Sequence, residues 1–274
     1  DGGHVIVTAG SAKGANSNTD VGGDVLVTAG SASSATGGNV VMTSGASDAT
    51  SSGFVAIATA DAGFYGVSGV MTLSTGVATS GDSGAIAVAT GNATMGHGGD
   101  ISVAVGTGNT GNGGDVSVVA GRTTSADNGG NIVVDAGSSF YGVGGAVVVT
   151  SGHGDSKDSG AVMIQSSDSG FYGVSGEMLL STGSTTAGSS GKFQVYTGDS
   201  VLGTSGALEL FSGKSTGGNG GDIVLAVGTG NTNSGGNVSI TAGETTDDGF
   251  YGVGGDVVIT AGLGSSADAT DGGD

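Results

Sequence analysis

Three histidines, His4, His97 and His153, are the side chains best suited to proton transfer or metal ligation, and they fall far apart and in different local contexts. Catalysis needs titratable groups that converge on a concave site. No Ser-His-Asp set and no metal-ligand spacing can be assembled around these three. Acidic residues form the second chemically interesting class. Asp24, Asp100, Asp115, Asp222 and Asp256, with Asn39, Asn131 and Asn237, each directly follow a glycine that opens an apolar run. Stacked repeats bring Asp100 and Asp115 to about 5 Å, which is unfavourable for like charges unless hydrogen bonds or a cation compensate. Calcium fits such oxygen donors, so Asp100, Asp115 and Asp222 are its candidate ligands. The segment GGNGGDIVL (217–225) fits one nine-residue calcium-roll pattern but stands alone, whereas that pattern binds through tandem copies.

Aromatic residues are scarce and clustered. Phe-Tyr-Gly-Val occurs at 64–67, 140–143, 171–174 and 250–253 and holds eight of the twelve aromatic side chains. Phe64, Tyr65, Phe140, Tyr141, Phe171, Tyr172, Phe250 and Tyr251 therefore stand as candidate contacts to another copy of the chain or to a sugar, with a corner plug as the alternative. Tyr196 and Phe211 join the list because they share one position of successive repeats. Two acceptor sequons, Asn92-Ala-Thr94 and Asn237-Val-Ser239, mark candidate glycosylation sites.

All of these positions are set by one repeat. Seventeen copies, mostly 15 or 16 residues long, open on an anchor glycine such as Gly3, Gly38, Gly99, Gly145 or Gly236. The second and fourth residues after the anchor are apolar in every copy. The sixth is Ala, Ser, Thr or Val, and the seventh is Gly except at Ala60 and Ser167. Alternation of this kind marks a strand with one face covered. The closing glycine is expected to supply a turn at positive φ. Loops of small residues, such as SASSATG (31–37), are expected to return the chain. The fold expected is all-β: a parallel β-solenoid of about 17 coils of 15–16 residues, continuous over 1–274. With one repeat per coil it makes a rod on the order of 80 Å long, and two or three repeats per coil make a shorter, thicker one. A longer duplication overlies the short one, because DAGFYGVSGVMTLSTG (61–76) nearly matches DSGFYGVSGEMLLSTG (168–183).

Composition bounds the partners. Gly supplies 63 of 274 residues, Pro, Cys and Trp are absent, and the net charge is −19. So acidic a surface repels phosphate backbones and acidic lipids, which argues against nucleic-acid binding. No apolar stretch is long enough to span a membrane. The chain opens at Asp1 inside a repeat and so reads as a mature product or part of something longer, and its repeats run to both ends without polar caps. Third-position residues, among them Val41, Val133, Val148 and Val224, point away from the expected core and make that outer face unusually apolar.

The repeat, seen at 68–84 as SGVMTLSTGVATSGDSG, resembles the long Gly/Ser/Thr-rich tandem-repeat proteins of algal and other protist surfaces. It is also similar to the solenoid stalks of microbial adhesins. That resemblance implies an extracellular protein of fibres, sheaths or appendages, and it brings no active-site residues. The expected function is a secreted or cell-surface structural protein, without enzymatic activity or an obligatory cofactor, that assembles into a filament. The alternative is a carbohydrate-binding or ice-binding solenoid module. Ice binding requires a flat Thr array, and the fifth position carries Thr in only six of seventeen copies, interrupted by Asp135, Gln165, Tyr196 and Phe211.

Overall fold

The computed structural model describes residues 2–262 apart from 17, 18, 233, 247, 248, 250 and 251. The chain divides into two compact units, Asp1–Val134 and Asp135–Asp274. Within both, each repeat has two parts: an apolar run that begins at the anchor glycine, and a loop that carries one bend.

The expected all-β solenoid is not what the chain forms. Among the described residues there is no helix and no strand, and no residue is buried. Period-2 alternation fixes which side of a run a residue lies on, but it does not supply the surface that would cover that side. Here nothing covers it. In the run after Gly145, Val147, Val148 and Val149 are 56 %, 80 % and 71 % exposed, so the alternation survives only as a difference between exposed positions.

The backbone bonds that recur are local to each loop. The anchor N–H donates to the carbonyl of the glycine that closed the preceding run, as in Gly38 to Gly30 at 2.9 Å and Gly145 to Gly137 at 2.8 Å. This bond closes the neck of the return loop and joins one run to the next without laddering them side by side. An added Cβ would be crowded most at the anchors Gly114 and Gly236, 2.9 and 2.7 Å from a Val γ carbon, whereas at Gly53, Gly99 and Gly206 it would meet only ordinary van der Waals contacts. At every anchor from Gly23 to Gly255 the nearest neighbours of an added Cβ include the sixth-position residue of the preceding repeat or the glycine beside it. That Cβ would lie 3.4 Å from the Ala29 Cβ at Gly38 and 3.5 Å from the Ser44 Cβ at Gly53. The closing glycines have no such neighbour: a Cβ at Gly30, Gly106 or Gly228 meets nothing within 4 Å. Nor do they take positive φ. Among the described residues Gly81 (φ 120°) and Gly111 (φ 76°), both in loops, are the glycines that do. The expectation that closing glycines turn the chain through positive φ is corrected accordingly.

The sixth position decides whether the neck closes. Where it is Ala (Ala9, Ala29, Ala120, Ala136, Ala242) the glycine-to-glycine bond is always present. Where it is Thr (Thr59, Thr75, Thr90, Thr182, Thr197) or Val (Val105, Val227) no such bond forms. A β-branched side chain is stiff at χ1 and sets a second γ atom in the neck. Thr59 Cγ2 lies 3.4 Å from the Cβ position of Gly69, and Val105 Cγ1 lies 2.9 Å from that of Gly114. Serine divides: Ser44 and Ser151 sit at closed necks, Ser166 and Ser212 at open ones, and nothing in the structure explains why Ser212 differs. In chain order the necks run three closed (to Gly53), four open (Gly69 to Gly114), three closed (Gly130 to Gly160), five open (Gly176 to Gly236) and one closed (Gly255).

A direct exchange follows. Ala120→Thr and Ala136→Thr should unprotect the amides of Gly130 and Gly145, and Thr75→Ala and Thr90→Ala should protect those of Gly84 and Gly99. A net hydrogen bond contributes about 1 kcal/mol, so amide exchange should change about fivefold, in opposite directions in the two pairs. Amide exchange read by NMR checks this, and unchanged rates in both pairs contradict it.

Candidate functional site

The loops share one geometry. In loop after loop the bend begins five residues before the next anchor, directly after the residue six places before it. At that place, six before the anchor, Ser47, Ser139, Thr185, Ser200 and Ser215 close the turn by accepting from the amide three residues on, whereas Thr124 does not. Ser139 Oγ accepts from Gly142 (2.8 Å), Thr185 Oγ1 from Gly188 (3.2 Å), and Ser200 Oγ and Ser215 Oγ from Gly203 and Gly218 (both 3.0 Å). This is the local side-chain-to-backbone bonding that makes Ser and Thr turn formers. In two loops a glycine at that place does the same work through its carbonyl: Gly63 O accepts from Gly66 N at 3.0 Å and Gly170 O from Gly173 N at 3.1 Å.

The two residues between donor and acceptor stand at the tip of the turn. In three loops they are Phe and Tyr. Phe64–Tyr65, Phe140–Tyr141 and Phe171–Tyr172 have ring centroids 4.8, 4.7 and 4.7 Å apart, with ring planes 84°, 75° and 86° apart. Every one of the six rings is more than 90 % exposed, so the corner-plug alternative does not describe them. The fourth aromatic pair, Phe250 and Tyr251, lies outside the described residues. Val201 and Leu202 occupy the same tip place in their loop and are equally exposed. Periodicity alone did not single out that pair, although its place five and four residues before the anchor Gly206 gives it away in the repeat register.

Edge-to-face pairing is the favoured arrangement of two aromatic rings. It also shapes what the tip can hold. Two perpendicular rings present one face beside one edge, which makes a knob. A shared flat platform of the kind on which a sugar ring stacks is not formed. A knob suits insertion among side chains of another protein surface.

The remaining candidates stay separate. Tyr196 and Phe211 are exposed in their runs and take no part in the ring pairs. Asp100, Asp115 and Asp222 are exposed beside Gly99, Gly114 and Gly221, and among the described residues no three His, Asp or Glu side chains gather to hold a metal ion. Asn92 lies in the loop of an open neck and Asn237 directly after the anchor Gly236, both with exposed amides. His153 Nε2 lies 3.5 Å from Asp155 Oδ1 at the surface, and His97 Nδ1 lies 3.1 Å from the Gly98 carbonyl. Among the described residues no helix is long and apolar enough to cross a membrane.

Sequence reasoning missed the pairing of the anchor glycine with the sixth-position residue. Its signal was present in the restriction of the sixth position to four small or β-branched types, whereas the second and fourth positions of the same face also admit Ile, Leu and Met. No protein-family model matches this sequence, and no curated protein or solved structure matches it either.

Proposed function

We propose that this chain is a non-catalytic structural protein that associates with further copies of itself into filaments or surface fibres. One observation carries the reading. The single chain exposes 27274 Å², whereas a folded monomer of its 25.3 kDa mass exposes about 10,000 Å² and a fully unfolded one about 37,000 Å². The excess is apolar at fixed places: the second and fourth positions of each run carry apolar rows that are more than half exposed in most repeats, joined in nine runs by Val, Ile, Leu or Met at the third. Rows recurring at one period match rows of the same period, and a second copy offers them. Apolar patches of this extent on soluble proteins mark association surfaces.

The acidic charge sets the conditions. At −19 per chain, copies repel one another, so association depends on apolar contact and on screening. Raising the salt from about 0.01 M to about 0.15 M shortens the Debye length from about 30 Å to about 8 Å and should strengthen association. Recognition of a ligand by charge would weaken instead. Extracellular placement rests on the likeness of the repeat to surface tandem-repeat proteins. Sedimentation velocity over a wide concentration range tests the proposal: growing species that salt favours support it, and a monomer throughout removes it.

A further inference from the structure

Of the twelve asparagines in the chain, Asn112, Asn128 and Asn219 are followed by glycine, whereas Asn39, Asn131 and Asn237 are followed by Val or Ile. The difference is chemical. A glycine after asparagine leaves its backbone nitrogen free to approach the side-chain amide, because no Cβ stands in the way. A stiff β-branched successor obstructs the same approach. All three Asn-Gly pairs hold one place in the repeat, two residues before the anchors Gly114, Gly130 and Gly221.

Asn-Gly is commonly the centre of a tight turn. In these loops the turn is already made. The three bends end at Gly111, Asp127 and Gly218, and the asparagine follows each one directly. No hydrogen bond holds the amides of Gly113, Gly129 or Gly220, the nitrogens that would attack. The loops differ at the next amide along. Gly130 N–H donates to Gly121 O at 2.9 Å, whereas the necks at Gly114 and Gly221 are open.

We propose that Asn112, Asn128 and Asn219 are sites of spontaneous deamidation, and that the closed neck at Gly130 slows Asn128 relative to the other two. The nitrogen of the following glycine gives up its proton and bonds to the asparagine Cγ. The side-chain nitrogen leaves that carbon, taking a proton, as ammonia. Water then opens the cyclic imide. Attack at Cγ breaks the new bond and leaves aspartate. Attack at the backbone carbonyl carbon breaks the original peptide bond and leaves isoaspartate, with the chain routed through the former side chain. Nothing is oxidised or reduced, and each conversion adds one negative charge to the −19 of the chain. To bring the Gly129 nitrogen to Cγ, the chain must rotate about the Asn128 Cα–C bond, which carries the Gly130 amide away from Gly121 O. The neck bond has to open first, and that lowers the rate about fivefold. The chemistry is internal to each loop, so it holds whether or not copies of the chain associate.

The test incubates the full-length chain at neutral and at mildly alkaline pH. Peptide mapping by mass spectrometry, with electron-transfer fragmentation to tell isoaspartate from aspartate, follows every asparagine. Conversion at Asn112 and Asn219 should run about fivefold faster than at Asn128, and all three should far outpace Asn39, Asn131 and Asn237. The three rates should rise with pH, because the attacking amide must lose its proton. Ala120→Thr, which opens the Gly130 neck, should bring Asn128 up to the rate of the other two, and concentrated urea should do so in the parent chain. Gly113→Ala and Gly220→Ala should each suppress conversion at their own asparagine without crowding the loop, since the added Cβ meets nothing within 4 Å. Asn-Gly pairs that react no faster than Asn39, Asn131 and Asn237 overturn the sites. Equal rates at Asn112, Asn128 and Asn219 without urea overturn the part given to the neck.

Discussion

Replacing Val41, Val133, Val148 and Val224 together by Asp should abolish association of the chain with itself. All four hold the third place of their runs, the most exposed of the three apolar places in the run of Val147, Val148 and Val149. Covering a Val side chain contributes about 1.5 kcal/mol. Losing four such contributions, about 6 kcal/mol, weakens association by about four orders of magnitude, before any cost of desolvating the new carboxylates. Neck hydrogen bonds are internal to each loop, so amide exchange at Gly38, Gly130 and Gly145 should be unchanged. Sedimentation velocity of the variant beside the parent chain reads the effect. Parent-like association would show that these rows do not form the contact.

The second large effect lies at the necks. Gly114→Ala and Gly236→Ala should force their necks apart, because the added Cβ would lie 2.9 Å from Val105 Cγ1 and 2.7 Å from Val227 Cγ1. Val offers no flexible end to swing aside, since its γ carbons are fixed at a stiff χ1. Overpacking of this kind costs about 1–3 kcal/mol per site. The matched controls Gly106→Ala and Gly228→Ala place a Cβ where nothing lies within 4 Å and should be silent. Spin labels at Thr107→Cys and Asn112→Cys report the span of the first loop. A longer distance in Gly114→Ala, with none in Gly106→Ala, is the expected result. Equal distances in both would mean that the anchor–Val contact does not hold the loop.

These two predictions draw on different layers of the sequence, and the layers were not equally legible. The register was legible. Counting from the anchor glycine places every bend, and it places Phe64, Phe140 and Phe171 in the loops whose tips they occupy. The sequence of bends is a local matter of Ser, Thr and Gly at one offset, and local chemistry is what a repeat displays best. Burial was not legible. Alternation at Val147, Val148 and Val149 invites a core, but a core needs an opposing surface, and small loop residues of the same chain do not provide it. The role of glycine was legible in kind and misplaced in detail. Conformational freedom belongs to Gly81 and Gly111, while among the anchors Gly114 and Gly236 face the close approach of a sixth-position valine, a contact between residues of adjoining repeats. The difference between Ala and Thr at that position, which sorts closed necks from open ones, is invisible to a hydropathy pattern that treats both as small. The calcium candidates show the same limit. Asp100 and Asp115 hold equal places in successive repeats, but equal place brings them together only if repeats stack, and the runs here are not laddered.

The central claim is that the exposed rows are surfaces for further copies of this chain. Sedimentation velocity of the unmodified chain, at physiological ionic strength and over a wide concentration range, tests it most directly. The account predicts a weight-average sedimentation coefficient that climbs with concentration and climbs sooner as salt is raised. A single slow species, unchanged by either, would contradict it.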